Sequence, residues 1–165
     1  MKRHINKVAV IGSGIMGSGI ACHFANIGVE VLLLDIVPRE LTDKEKAQGL
    51  TLEDKAVRNR LVNESLAAAL KSKPSPIYVQ SFSKRINTGN FTDDMHKIAD
   101  CDWIVEVVVE RLDIKKIIFD QVDKFRKEGS LISSNTSGIP IASMLDDKSD
   151  DFKANFLGTH FFNPP

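Results

Sequence analysis

The sequence predicts an α/β fold: a doubly wound, mostly parallel sheet with a helical insertion after its second strand. Three observations carry this reading. Short apolar runs alternate with amphipathic stretches, the pattern of strands joined by crossover helices. The runs Lys7–Ile11 (KVAVI), Val29–Leu34 (VEVLLL) and Trp103–Val109 (WIVEVVV) are nearly continuous, as in strands covered on both faces. The length, 165 residues, suits one domain with a substantial core.

The elements follow in order. Lys7–Ile11 is a buried strand, and Ser13–Ile27 carries a helical pattern that stops at Gly28, a natural C-cap. The second strand, Val29–Leu34, ends at Asp35, and Pro38 marks the loop beyond it. Thr51-Leu52-Glu53-Asp54 resembles a capping box ahead of a helix whose apolar stripe is Val57, Leu61, Val62, Leu66 and Leu70. Pro74 and Pro76 end that helix. Arg85–Thr88 is a short strand with Gly89-Asn90 as a turn. After the strong strand Trp103–Val109 come a helix at Asp113–Lys127, a strand at Leu131–Ser134, and a short helix at Ile141–Leu145. Asp146–Asp151 reads as an acidic loop, and Phe156–Phe162 as a last strand.

Composition removes several classes of function. Lys and Arg number 22 against 22 Asp and Glu, which leaves no electrostatic footprint for nucleic acid. No apolar run approaches the ~20 residues needed to span a bilayer. Glycines interrupt the apolar stretch after the basic start Met1-Lys2-Arg3-His4, so it is not a signal peptide. Cys22 and Cys101 make neither a disulfide framework nor a zinc set. They are expected in helix packing and at the start of a strand. A soluble cytoplasmic protein without a metal is expected.

The first loop carries the chemistry. Gly12-Ser13-Gly14-Ile15-Met16-Gly17 follows a strand and opens a helix, the context a GxGxxG needs to mean dinucleotide binding. Gly12 permits the tight turn, Gly14 admits a pyrophosphate, and Gly17 lets helix and strand approach. Ile15 and Met16 offer backbone N–H groups at the positive end of the helix. Asp35, 23 positions after Gly12, can accept from the adenosine ribose hydroxyls and repels a 2′-phosphate. The expected fold is therefore Rossmann-like and the expected cofactor NAD rather than NADP.

Beyond that loop, Val8–Ala21 (VAVIGSGIMGSGIA), Trp103–Phe119 (WIVEVVVERLDIKKIIF), Ser133–Gly138 (SSNTSG) and Gly158–Pro164 (GTHFFNP) resemble the 3-hydroxyacyl-CoA dehydrogenase family. Gly49–Val62 looks most like long bacterial members fused to an enoyl-CoA hydratase-like region. The resemblance implies oxidation of the 3-hydroxyl of an L-3-hydroxyacyl-CoA in fatty acid β-oxidation, with hydride passing to NAD⁺. It implies catalytic roles for His160, as general base, and for Ser137, near the substrate hydroxyl. It also implies cofactor contacts from Glu110 and Lys115, with a solvated helix face as the alternative for Lys115. Glu106 interrupts a run that should be buried and needs a polar partner the sequence does not name. Lys55–Arg60 fits either coenzyme A phosphates or a solvated face.

In the family a glutamate beyond the histidine orients its ring, and a helical C-terminal domain closes over the acyl-CoA and supplies oligomer contacts. Neither falls within these residues, so the chain reads as one NAD-binding domain, residues 1–165, of a longer enzyme, inactive alone. A stand-alone dinucleotide-binding module and a 6-phosphogluconate-type oxidoreductase are the alternatives.

Overall fold

The structure, a computed structural model, describes residues 3–162. Its strands are β1 (Lys7–Ile11), β2 (Glu30–Asp35), β3 (Ile86–Asn90), β4 (Trp103–Glu106), β5 (Leu131–Ser134) and β6 (Phe156–Gly158). They form one sheet in the order β3-β2-β1-β4-β5-β6, with every neighbouring pair parallel. The order reverses between β1 and β4, and in open sheets of this kind ligands bind at the carboxyl ends of the strands at that reversal.

Alternation along each strand feeds two cores. Ala9, Ile11, Leu32, Leu34, Ile104 and Ile132 face one side, where α6 (Leu112–Phe125) adds Ile118, Phe119 and Val122. On that side α7 (Ile141–Leu145) adds Met144, and α8 (Asp150–Ala154) adds Phe152, edge-on to Phe119. Val8, Val10, Val31, Leu33 and Val105 face the other side, under α1 (Ile15–Asn26) and α4 (Arg60–Lys71). Both faces are covered, which explains the nearly continuous apolar runs of β1 and β2. Cys22 packs in α1 and Cys101 just ahead of β4; burial pushes their thiols up to about 11 and about 12. No helix among the described residues is long and apolar enough to cross a membrane.

Several boundaries differ from the sequence expectation, each for a local reason. The first helix starts at Ile15 because Gly14 is its extended N-cap and Ser13 is held by Asp35. Sheet pairing along β4 stops at Glu106, whose own carboxylate accepts the Val108 N–H at 2.7 Å and turns the chain away. β6 stops at Gly158; Thr159 N–H still donates to the Ser134 carbonyl, but Phe161 N–H donates to the Asn135 side chain instead of a strand. Gly89 and Asn90 are not a turn. Both lie in β3, and the Asn90 side chain caps α5 (Phe91–Asp94) by accepting from Thr92 and Asp93 N–H. Part of the acidic loop is helical, since Ser149 caps α8.

The insertion also has more parts than expected. Thr42 and Glu45 form a full capping box on α2 (Asp43–Ala47). Thr51–Asp54 makes a hydrogen-bonded turn, and the helix behind it begins only at Lys55. That helix breaks at Asn59 into α3 (Lys55–Arg58) and α4, because the buried Asn59 side chain accepts from Asn90 Nδ2 at 2.7 Å. The stripe holds otherwise: Val57 and Val62 are buried, and Leu66 and Leu70 pack against the second core.

Candidate functional site

The glycine loop leaves β1 and turns directly beneath the end of β4. Gly12 has φ +105°, and a Cβ there would lie 2.7 Å from the Val107 carbonyl oxygen. A Cβ on Gly17 would overlap the Gly12 carbonyl, so helix and turn touch backbone to backbone. Gly14 is the opposite case: nothing lies within 4 Å of a Cβ built there. The loop is thus tight below and open above, which fits a pyrophosphate resting on Gly14 and the first N–H groups of α1. Ile15 is 81% exposed and Met16 half-buried, so both stand at that open end.

Asp35 ends β2 beside this loop. Its Oδ2 accepts the Ser13 N–H at 2.7 Å and the Ser13 hydroxyl, while Oδ1 accepts the Ile36 N–H at 2.7 Å. The glycine loop and the acidic strand end are therefore one unit. Ser13, fully buried, makes that join, a role its place in the motif did not signal.

On the other side of the reversal, Glu110 gathers the loop after β5. Its Oε1 accepts from the Thr136 hydroxyl at 2.5 Å and from the N–H groups of Ser137 and Gly138 at 3.0 Å each. Burial raises its pKa, but the hydrogen bonds from Thr136, Gly138, Ser137 and Lys115 outweigh that and bring it down to about 2. The folded chain therefore binds this proton more weakly than the unfolded chain. The grip on the loop is complete above about pH 4.5, Glu110's ordinary value, and is lost as pH falls through about 2. The amide shifts of Ser137 and Gly138 are expected to titrate near pH 2; a midpoint near 4.5 would contradict the grip.

Ser137 and His160 line one shallow cleft of about 360 Å³ with Thr136, Ile141, Gly158 and Thr159. The imidazole is exposed and stacks on Phe162, ring centroids 5.0 Å apart and 27° between planes. Asn163 and Pro164 of the GTHFFNP motif lie outside the described residues. His4, His23 and His96 are exposed elsewhere.

Lys115 is not on a solvated face. Its side chain is 1% exposed, and its ammonium lies 2.7 and 2.8 Å from the two oxygens of Glu106 and 3.3 Å from Glu110 Oε2. It reaches the crevice through Glu110 instead of presenting its own charge there. The partner that Glu106 required is thus Lys115, joined by the Ser134 hydroxyl. The strand sequence signalled this only as one glutamate among apolar residues. Of the Lys55–Arg60 cations, Arg58 is engaged by Asp93 at 2.6 and 2.7 Å and Arg60 by Glu45, while Lys55 is exposed.

Comparison with known proteins agrees with this geometry. The chain is 56% identical over 164 residues to a "Probable 3-hydroxyacyl-CoA dehydrogenase" of Bacillus subtilis, covering 99% of this chain and 21% of that protein. It is 38% identical over its whole length to a "Putative fatty acid oxidation complex trifunctional enzyme" of Rickettsia felis, again 21% of the relative. The chain thus spans about a fifth of the length of these two relatives. The crystal structure of 3-hydroxybutyryl-CoA dehydrogenase from Escherichia coli superimposes with a TM-score of 0.67 at 29% identity, covering 98% of this chain and 30% of that one. Residues 7–165 match the family described as 3-hydroxyacyl-CoA dehydrogenase, NAD binding domain. A tight glycine turn open above Gly14, an acidic strand end beside it and a histidine cleft on the same sheet edge are thus the parts of a chain that belongs to the NAD-binding domain family of 3-hydroxyacyl-CoA dehydrogenases.

Proposed function

We propose that the full-length protein carrying this chain oxidises the 3-hydroxyl of an L-3-hydroxyacyl-CoA to a ketone in fatty acid β-oxidation, in the cytoplasm. The observation that carries the reading is the sharing of one cleft by His160 and Ser137, at the same carboxyl edge as the glycine loop. When bound, NAD⁺ accepts the hydride. Gly14, Ile15, Met16 and Gly17 would hold its pyrophosphate through backbone N–H groups and the dipole of α1, over the tight turn at Gly12, whose own N–H donates to the Leu34 carbonyl. Asp35, which accepts from Ser13 beside the loop, would take the ribose hydroxyls. Glu110 stands at the cofactor end of the cleft and fixes the backbone of Ser137.

The chain's own part in the reaction is proton handling. A hydroxyl gives up hydride readily only as its proton leaves, and an imidazole is the side chain suited to take it near neutral pH. His160 accepts that proton, and the Ser137 hydroxyl, able both to donate and to accept, orients the substrate oxygen. The 21% coverage of the first relative supports placing the substrate-closing and oligomer-forming parts outside these residues.

Following NADH absorbance tests the proposal. The full-length protein is expected to reduce NAD⁺ with a short-chain L-3-hydroxyacyl-CoA. Residues 1–165 alone are expected to turn over very little, because an open site leaves the substrate unaligned, an effect that can reach about 7 kcal/mol. No turnover by the full-length protein with any acyl-chain length would overturn the reading; it would favour a dinucleotide-binding module without catalysis.

A further inference from the structure

The network around Glu106 is more elaborate than holding a helix to a sheet requires. A carboxylate and an ammonium this deep persist only when paired and hydrogen-bonded, and an apolar pair of similar volume often serves packing equally well. Here Glu106 is fully buried, and each of its oxygens has two donors. Oε1 accepts from Lys115 and the Val108 N–H; Oε2 accepts from Lys115 and the Ser134 hydroxyl. The Asn135 N–H donates to the Glu106 carbonyl at 2.8 Å, so the same residue also holds the start of the loop after β5.

The charges do not cancel within this cluster. Two carboxylates share one ammonium, and the less buried of them, Glu110, turns its second oxygen to the three donors of Thr136, Ser137 and Gly138. Those donors converge on a single oxygen, a small nest filled by an internal anion. A continuous line of ion pairs and charge-assisted hydrogen bonds thus runs from the interior of β4 to the backbone of Ser137.

We propose that Glu106 and Lys115 are positioning residues: they hold Glu110 where its carboxylate clamps Thr136–Gly138, and so set where Ser137 stands in the cleft. The inference rests on the reading of Ser137 as a substrate-side group. It adds Glu106, which touches neither the cleft nor the glycine loop, to the residues on which turnover depends.

Hydrogen–deuterium exchange on the full-length protein, read by mass spectrometry over residues 135–141 and 12–20, separates this from a purely structural role. In the wild type, 135–141 is expected to be protected by at least about tenfold over an unstructured segment. Glu106→Gln is isosteric and removes the charge. Glu106→Met/Lys115→Met removes both charges and leaves no buried ion unpaired. Both variants are expected to speed exchange over 135–141 about tenfold and leave 12–20 unchanged. They should lower kcat by about 10- to 100-fold. Ser134→Ala deletes one donor to Glu106 and should give an increase of about threefold in exchange over 135–141, which decides the matter if the larger variants do not fold. Wild-type exchange and kcat in a folded Glu106 variant, no change in Ser134→Ala, or an unprotected wild-type loop would each overturn the inference. Failure of the wild type to oxidise any 3-hydroxyacyl-CoA would instead overturn the functional reading, while the exchange result still reports on the clamp.

Discussion

His160→Gln in the full-length protein is expected to depress kcat by about 10²–10⁴-fold, the range of a single general base. Glutamine keeps a hydrogen-bonding group of similar reach but cannot take a proton near neutral pH. The position separates chemistry from folding. The imidazole is exposed and its described ring contact is the stack on Phe162, so the change should move stability by less than about 0.5 kcal/mol. Cofactor affinity should also hold, because the glycine loop and Asp35 lie at the ends of β1 and β2, away from β6. A large loss of turnover with unchanged thermal midpoint and NAD affinity is the expected signature. Unchanged turnover would remove His160 from the role of base.

Gly17→Ala is the second large effect, and it acts through the backbone. The added methyl overlaps the Gly12 carbonyl oxygen and falls 2.8 Å from its carbon, so no side-chain rotation relieves it. Either the helix lifts from β1 or the turn reopens, at a cost of about 1–3 kcal/mol of stability, the scale of overpacking. Both movements displace the N–H groups proposed to hold the pyrophosphate, and NAD binding should weaken at least about tenfold, or about 1.4 kcal/mol. Gly14→Ala is the informative contrast. Space is open there, so stability should change by less than about 1 kcal/mol, the scale of an N-cap exchange. Binding should still weaken if, as proposed, a phosphate approaches the backbone through that space. Equal behaviour of the two variants, measured by thermal unfolding and NAD titration, would contradict this division of roles.

The sequence shows clearly those parts whose signal is carried by several residues at once. β1, β5 and α7 begin and end where the apolar pattern puts them, because each is a short apolar segment bounded by polar or turn residues. The glycine turn and Asp35 were legible together, since their separation is fixed by one strand-helix-strand unit. The short helices α2, α5 and α8 were missed. Four or five residues hold too few apolar positions to show a period, and each helix is set by one capping side chain, Thr42, Asn90 or Ser149. The overlong reading of β4 has another cause. Apolar residues continue to Val109, but sheet pairing ends where Glu106 captures the Val108 N–H, a contact made across two residues that periodicity does not register.

Lys115 shows the same limit at the site. The resemblance makes Lys115 a cofactor contact and the helical pattern allows it a solvated face, while Lys116, half-buried, pairs with Asp146 at 3.7 Å. Only the fold reveals that its neighbour is enclosed between two glutamates. The clue available beforehand was Glu106 itself, a charge in a doubly covered strand, which demands a buried cation from somewhere else in the chain. Which cation supplied it depended on the packing of α6 against β4.

Calorimetric titration with NAD⁺ and NADP⁺, on the wild type and on Asp35→Ala, tests the central claim most directly. The Asp35 carboxylate is held beside the glycine loop by Ser13, and the proposed role is selection for free ribose hydroxyls. NAD⁺ is expected to bind at a single site and NADP⁺ at least about tenfold more weakly, a difference of about 1.4 kcal/mol. Asp35→Ala should cost about 1–3 kcal/mol of NAD⁺ affinity, the scale of hydrogen bonds to a charged group, and narrow the gap between the two cofactors. Wild-type binding of NADP⁺ equal to or tighter than that of NAD⁺, or an Asp35 variant that binds NAD⁺ undiminished, would contradict the account.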